Sequence, residues 1–164
     1  FGAESLAASI DDKWRAMFEL NVLGVLRMTR TLLPKLVASG DGLVVNLGSI
    51  AGIEAYPGGG GYAASKFAVH ALTRTLRLEL LGQPVRVTEI LPGLAETEFA
   101  LVRFDGDRER AAKVYEGMTP LSAEDIAEAV RWVATRPSHV DIDEIVIRPR
   151  DQATTMLVHR RPRE

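Results

Sequence analysis

The chain contains no cysteine, which excludes disulfides, thiolate nucleophiles and thiolate-ligated metals and leaves its redox compartment unread. It has no run near the ~18 uninterrupted apolar residues that a membrane span needs. Its opening lacks the basic-then-apolar pattern of a secretory signal, so the expectation is a cytoplasmic protein with no membrane partner. Charge of one sign is equally scarce: the formal net charge is -2, and nothing directs the chain toward nucleic acid or an anionic surface. The three histidines, His70, His139 and His159, have no ligand-like spacing and read as ordinary residues, so no metal is expected. There is no internal repeat, no low-complexity linker and no initiator methionine at Phe1. What is present is ordinary for a folded chain, with 46% hydrophobic and 26% charged residues. At 164 residues, residues 1–164 read as one domain, able to bury a core but short for an α/β enzyme with its own cofactor cleft.

Periodicity then sets the elements. Ser9 with Asp12 three residues on has the form of a capping box, and Trp14, Met17, Phe18, Val22, Val25 and Leu26 recur at helical spacing. A long helix over 10–38 is predicted, with Pro34 kinking or finishing it and Gly40 and Gly42 as its stop. The short apolar segment 43–47 reads as a strand buried on both faces. After the glycines at 58–61, helical spacing returns over 62–81, until Gly82 and Pro84. A second buried strand spans 85–91 and closes on Pro92 and Gly93. Residues 94–106 lack a clean period and read as a mobile loop. A short helix at 108–117, a helix capped by Ser122 and Asp125, a last strand at 143–148 and a polar basic tail complete the chain. Strands alternating with helices imply right-handed parallel crossovers, hence an open α/β sheet flanked by helices.

Tyr62 and Lys66 lie four apart near the start of a helix, which stacks their side chains on one face. A phenol with a pKa of ~10 is a poor base at neutral pH, but a nearby ammonium stabilises its anion, so Lys66 is expected to tune Tyr62. A plain surface pair has the same spacing. Ser49 strengthens the chemical reading, because it ends a buried strand, where open α/β sheets deliver residues to their ligand crevice.

The run Asn46-Leu47-Gly48-Ser49-Ile50-Ala51-Gly52, followed by Tyr62-Ala63-Ala64-Ser65-Lys66, resembles the short-chain dehydrogenase/reductase family. Asn21-Val22-Leu23-Gly24 and Pro92-Gly93 with Thr97 resemble further blocks of that family, in order and spacing. The resemblance implies a Rossmann-like open parallel sheet. It makes Tyr62 the general acid or base, Ser49 the donor to the substrate oxygen, and Lys66 the holder of the nicotinamide ribose. Asn21 would open the first helix locally and anchor a water leading from Lys66 to solvent. Pro92, Gly93, Leu94 and Thr97 would face the nicotinamide. The implied reaction is hydride transfer between NADP, or NAD, and a small hydroxy or oxo compound. The family's N-terminal strands and phosphate-binding turn would be missing, with Phe1 falling just after one of its blocks. Gly58, Gly60 and Ala63 imitate a dinucleotide fingerprint but do not directly follow a strand. The edge of the 43–47 strand would then lie open.

The segments 96–104 and 139–144 resemble the branch of this family that oxidises serine and other 3-hydroxy acids with NADP. For a carboxylate substrate, Arg103 on the loop is the candidate clamp, and a surface arginine is the plain alternative. Ser9 and Ser65 read as structural, and Arg160, Arg161 and Arg163 as a solvated tail without function. The resemblance also implies a homo-oligomer formed through the two long helices. A non-catalytic dimerisation or interaction fragment is the first rival reading. The second is the extended epimerase-type branch, which the short tail after Arg148 disfavours.

Overall fold

A computed structural model describes residues 4–162; Phe1 and Arg163, which enter the reading above, lie outside the described residues. Helix α1 (Asp11–Phe18) runs through a π-helical turn (Glu19–Leu23) into α2 (Gly24–Ala38), matching the long helix expected over 10–38. In the turn the Gly24 amide bonds to the Glu19 carbonyl, five residues back, so one extra residue is accommodated. The start differs from expectation. Ile10, not Ser9, precedes the first helical residue, and Ser9 Oγ donates to the Leu6 carbonyl at 2.8 Å. A short 3-10 turn, Leu6–Ala8, ends there and takes the hydroxyl that a capping box would need. Pro34 does not finish the helix, which continues to Ala38; proline simply forgoes one backbone bond.

Three parallel strands follow, β1 (Gly42–Leu47), β2 (Val85–Pro92) and β3 (Glu144–Ile147), in the spatial order β1-β2-β3. Parallel neighbours need long crossovers. Helix α3 (Gly60–Glu79) makes the first, and α4 (Phe99–Arg103), α5 (Arg108–Lys113) and α6 (Ala123–Ala134) the second. Asn46 pairs with Glu89, Leu47 with Ile90, and Ile90 with Ile145, which brings the C-terminal ends of β1 and β2 level. The Ser122–Asp125 capping box forms at α6 as expected. The 94–106 segment is more ordered than a mobile loop: α4 buries Ala100 within it.

Burial separates the strands. In β2 every residue from Val85 to Leu91 is buried, as the apolar run predicts. In β1 only Gly42 and Asn46 are, and Leu47 is 55% exposed, which corrects the expectation of a strand covered on both faces. The cause is topological: among the described residues β1 has a strand neighbour on one side alone. Leu76, Leu80, Val85 and Val87 form the core, packed by Leu33, Leu36 and Val37 of α2 and Val44 of β1. Beside them α2 and β1 leave an apolar groove that includes Leu20, Met28, Leu32 and Leu43. Among the described residues no helix is long and apolar enough to cross a membrane.

The tail is not simply solvated. Arg160 donates to the Val114 and Glu116 carbonyls, and Arg161 binds the Gly117 carbonyl through its amide and Thr119 Oγ1 through its guanidinium. These bonds fold the end of the chain back on the segment joining α5 to α6.

Candidate active site

Four pieces of chain meet at the C-terminal edge of the sheet: the end of β1 with Ser49, the first turns of α3 with Tyr62 and Lys66, the segment after β2, and α4. They enclose a cavity of about 200 Å³ whose lining includes Ser49, Tyr56, Tyr62, Pro92, Gly93, Leu94, Thr97, Arg103, Tyr115 and Gln152. A second cavity, about 330 Å³, adjoins it on the far side of Tyr62 and is lined by Asn21, Lys66, Met17, Leu20 and Val102 among others. Tyr62, Phe99 and Arg103 border both. The candidate catalytic, cofactor and substrate residues named from the sequence therefore line one or other cavity.

Ser49 and Tyr62 line the same cavity, and the Ser49 hydroxyl accepts the Ala51 amide at 3.1 Å. Burial pushes the Tyr62 phenol above its ordinary value, and Ser49 and the Arg103 charge partly reverse that push. The Lys66 ammonium lies 5.9 Å from the Tyr62 ring centroid and spends a hydrogen bond on the Leu47 carbonyl, at 2.8 Å. Its own proton is held less firmly than usual, because burial disfavours the ammonium.

Asn21 lies inside the π-helical turn, so the local opening implied for it is present, and its Nδ2 donates to Ser65 Oγ at 3.0 Å. Ser65 in turn donates to the Tyr62 carbonyl at 2.8 Å. This small chain fixes the first turns of α3 against the π turn and makes Ser65 a brace, in line with its structural reading. The glycines at the start of α3 leave room for neighbouring side chains: a methyl group on Gly59 would overlap the Tyr56 ring, and one on Gly61 would overlap Met17.

After β2, the Gly93 amide donates to the Ile147 carbonyl at 2.7 Å and the Leu94 amide to Gln152 Oε1 at 2.8 Å. Thr97 is exposed, and its hydroxyl accepts the Phe99 amide at 3.2 Å. The Arg103 guanidinium stacks 5.6 Å from the Tyr56 ring centroid and 5.9 Å from that of Phe104, which holds a cation at the cavity wall. Sequence reasoning missed Gln152, which is 5% exposed and holds the segment after β2 in place. It also missed Tyr115, whose hydroxyl donates to the Ala95 carbonyl at 2.9 Å. Both act across long sequence separations, so no local pattern marks them.

His70 is buried, with Nδ1 2.7 Å from Glu89 Oε2. His70, Glu89 and Glu144 bring potential ligand atoms within 4.8 Å of one another. Arg74 Nε already occupies Glu144 Oε1 at 2.9 Å, so the group is an ion-pair network with its own internal cation.

A parallel α/β sheet with a hydroxyl, a phenol and an amine converging at its strand ends defines an enzyme-like crevice of the Rossmann type. The short chain dehydrogenase family model matches residues 2–107, and the chain belongs to that family. An uncharacterized oxidoreductase of Mycobacterium tuberculosis is 63% identical over 93% of this chain and 61% of its own length. An NADP-dependent 3-hydroxy acid dehydrogenase of Salmonella typhi is 47% identical over 93% of this chain and 62% of its own. Among solved structures, the closed form of a serine dehydrogenase complexed with NADP+ superposes with a TM-score of 0.92 at 41% identity, covering 98% of this chain and 66% of that one. The chain thus spans less than two thirds of the length of these relatives.

Proposed function

We propose that this chain carries the catalytic residues of an NADP-dependent oxidoreductase, with NAD the alternative cofactor, acting on a small hydroxy or oxo acid. The observation that carries the reading is the convergence of Ser49 and Tyr62 on one cavity at the ends of β1 and β2. The residues present fit the nicotinamide half of such a cofactor. Tyr62 and Lys66 offer two polar groups on one helix face to a ribose diol, and the cavity walls formed by Pro92, Leu94, Phe99 and Val102 suit a flat ring. Gly93 and Thr97 complete the proposed cofactor contacts. When bound, the cofactor supplies or accepts the hydride at the substrate carbon.

The side chains supply the rest. Ser49 donates to the substrate oxygen and orients it toward Tyr62. In reduction the Tyr62 phenol gives its proton to that oxygen, and its raised pKa means the proton is in place at neutral pH. Lys66 keeps a positive charge beside the phenolate left behind, and the proton returns through the Asn21 side of the adjoining cavity. In oxidation Tyr62 accepts the alcohol proton instead. Arg103, a cation at the cavity wall, pairs with the substrate carboxylate. The relatives named for 3-hydroxy acids and serine support that last assignment, since those names denote compounds carrying a carboxylate.

The decisive experiment is Tyr62→Phe in the full-length protein. Turnover is expected to fall by a factor of ~10² to 10⁴ or more, while NADPH affinity, read by fluorescence titration, stays close to wild type. Unimpaired turnover overturns the assignment. A second reading, a non-catalytic interaction module, is favoured by the apolar groove between α2 and β1; absence of any NADPH binding by the full-length protein would select it.

A further inference from the structure

Glu89 sits in the middle of β2 with none of its surface exposed. A carboxylate that deep is costly unless its charge is answered by a partner. One oxygen, Oε2, meets His70 Nδ1 at 2.7 Å. The other, Oε1, has no hydrogen-bond partner among the described residues and lies directly under Gly48, where a methyl group would overlap it. Gly48 follows Leu47, whose carbonyl takes the Lys66 ammonium, and precedes Ser49. The missing side chain at position 48 is what lets a buried carboxylate come up beneath the strand end that carries the site.

Helix α3 presents Tyr62, Lys66, His70 and Arg74 at four-residue intervals, one stripe along the sheet. Its lower members are committed to the strands: His70 to Glu89 and Arg74 to Glu144. Arg77, further along, holds Asp143. Strand β1 brings no ionisable side chain to this layer, and Glu144 of β3 is paired to Arg74. Glu89 Oε1 is thus the carboxylate oxygen left unpartnered, among the described residues, below the strand end that Lys66 bonds. Burial raises the pKa of the Glu89 carboxyl, His70 and Lys66 work against that rise, and the Glu89 charge in turn opposes the loss of the Lys66 proton.

We propose that Glu89, seated by His70 and admitted by Gly48, is the buried counter-ion of Lys66, a positioning residue that keeps the lysine charged beside Tyr62. The inference rests on the acid–base reading of Tyr62 and Lys66 given above.

The test is lysine side-chain NMR on full-length protein labelled with 13C-lysine. The Lys66 signal is identified by its loss in Lys66→Arg. In Glu89→Gln, which keeps the shape and removes the charge, the Lys66 titration midpoint is expected to fall by about one pH unit, with Lys13, Lys35 and Lys113 unmoved. Glu89→Asp, which keeps the charge, should restore most of the shift. An unmoved Lys66 midpoint in Glu89→Gln overturns the proposal. Coupling between two sites is reciprocal, so Lys66→Met must raise the titration midpoint of the Glu89 carboxyl; this readout stands even where Glu89→Gln does not fold, and a static carboxyl overturns the proposal equally. The alkaline limit of turnover should move to lower pH in Glu89→Gln, with kcat changed more than KM. None of the NMR readouts depends on turnover. An active Tyr62→Phe with intact Lys66–Glu89 coupling therefore removes the catalytic reading alone, whereas an inactive Tyr62→Phe with no coupling removes this proposal alone.

Discussion

Strands β1 and β2 are neighbours in perfect parallel register, yet they live in different environments. β2 is enclosed along nearly its whole length and tolerates Arg86, Thr88 and Glu89 inside the protein. β1 is half open, and the surface of the π-helical turn and α2 next to it exposes Leu20, Met28 and Leu32. The site joins the two. Ser49 comes from the open strand, the proposed nicotinamide contacts follow the enclosed one, and α3 ties both through Lys66, His70 and Thr73, the last accepting from Asn46 Nδ2 at 2.9 Å. The difference teaches that rigidity here comes from one side. Helix α3 and β2 set the geometry, and β1 is held to them by polar bonds as much as by apolar packing.

That contrast can be broken directly. Ile90 is fully buried in β2, whereas Met28 is 61% exposed on α2. Ile90→Ala should destabilise the full-length protein by about 2–5 kcal/mol, and Met28→Ala by less than about 0.5 kcal/mol, both read by urea unfolding. A large loss at Met28 would show that the open face is covered in solution. Next in size is Arg103→Ala, which should raise KM for a hydroxy acid roughly tenfold, equivalent to about 1.4 kcal/mol, and leave KM for an uncharged alcohol nearly unchanged. Equal effects on both substrates would discard the clamp. The smallest effect belongs to the rim of the enclosed side. Arg74 holds the Glu144 carboxyl below the usual carboxylate range, so the pair stabilises the fold at neutral pH and that contribution is lost as the pH falls through the lowered value. Arg74 is 59% exposed, so solvent screens the pair and the gain is small. Glu144→Gln should therefore lower stability slightly at pH 7 and not at all once the carboxylate is protonated.

The open parallel sheet, its three strands and the long helices were legible because apolar period and glycine or proline punctuation are local signals. Ser49, Tyr62 and Lys66 were legible for the same reason, since their spacing lies within one strand–helix unit. Ser9 misled because a capping pattern says nothing about a competing turn upstream, and Leu6–Ala8 claims the hydroxyl. The apolar run in β1 announced burial, but burial also needs a neighbour on each side. The electrostatic roles were the least legible. Spacing placed Lys66 beside Tyr62, yet only three dimensions reveal that its hydrogen bond goes to Leu47 and that Glu89, twenty-three residues on, lies beneath the adjacent Gly48. Gln152 belongs to the same class, a lone amide in a polar tail whose partner, Leu94, is 58 positions away.

The π-helical turn at Glu19–Leu23 also acts as a phase shifter. An α-helix advances about 100° per residue, and the π turn takes up one additional residue without that rotation, so the apolar faces before and after it are one residue out of phase in the sequence. Helix α1 can point Trp14 and Met17 at the start of α3, against Gly61, while α2 points Leu33, Leu36 and Val37 at the core. A single rod thereby grips two different partners. Forcing Glu19–Leu23 into regular α geometry with all its residues retained would turn the second half away from the core.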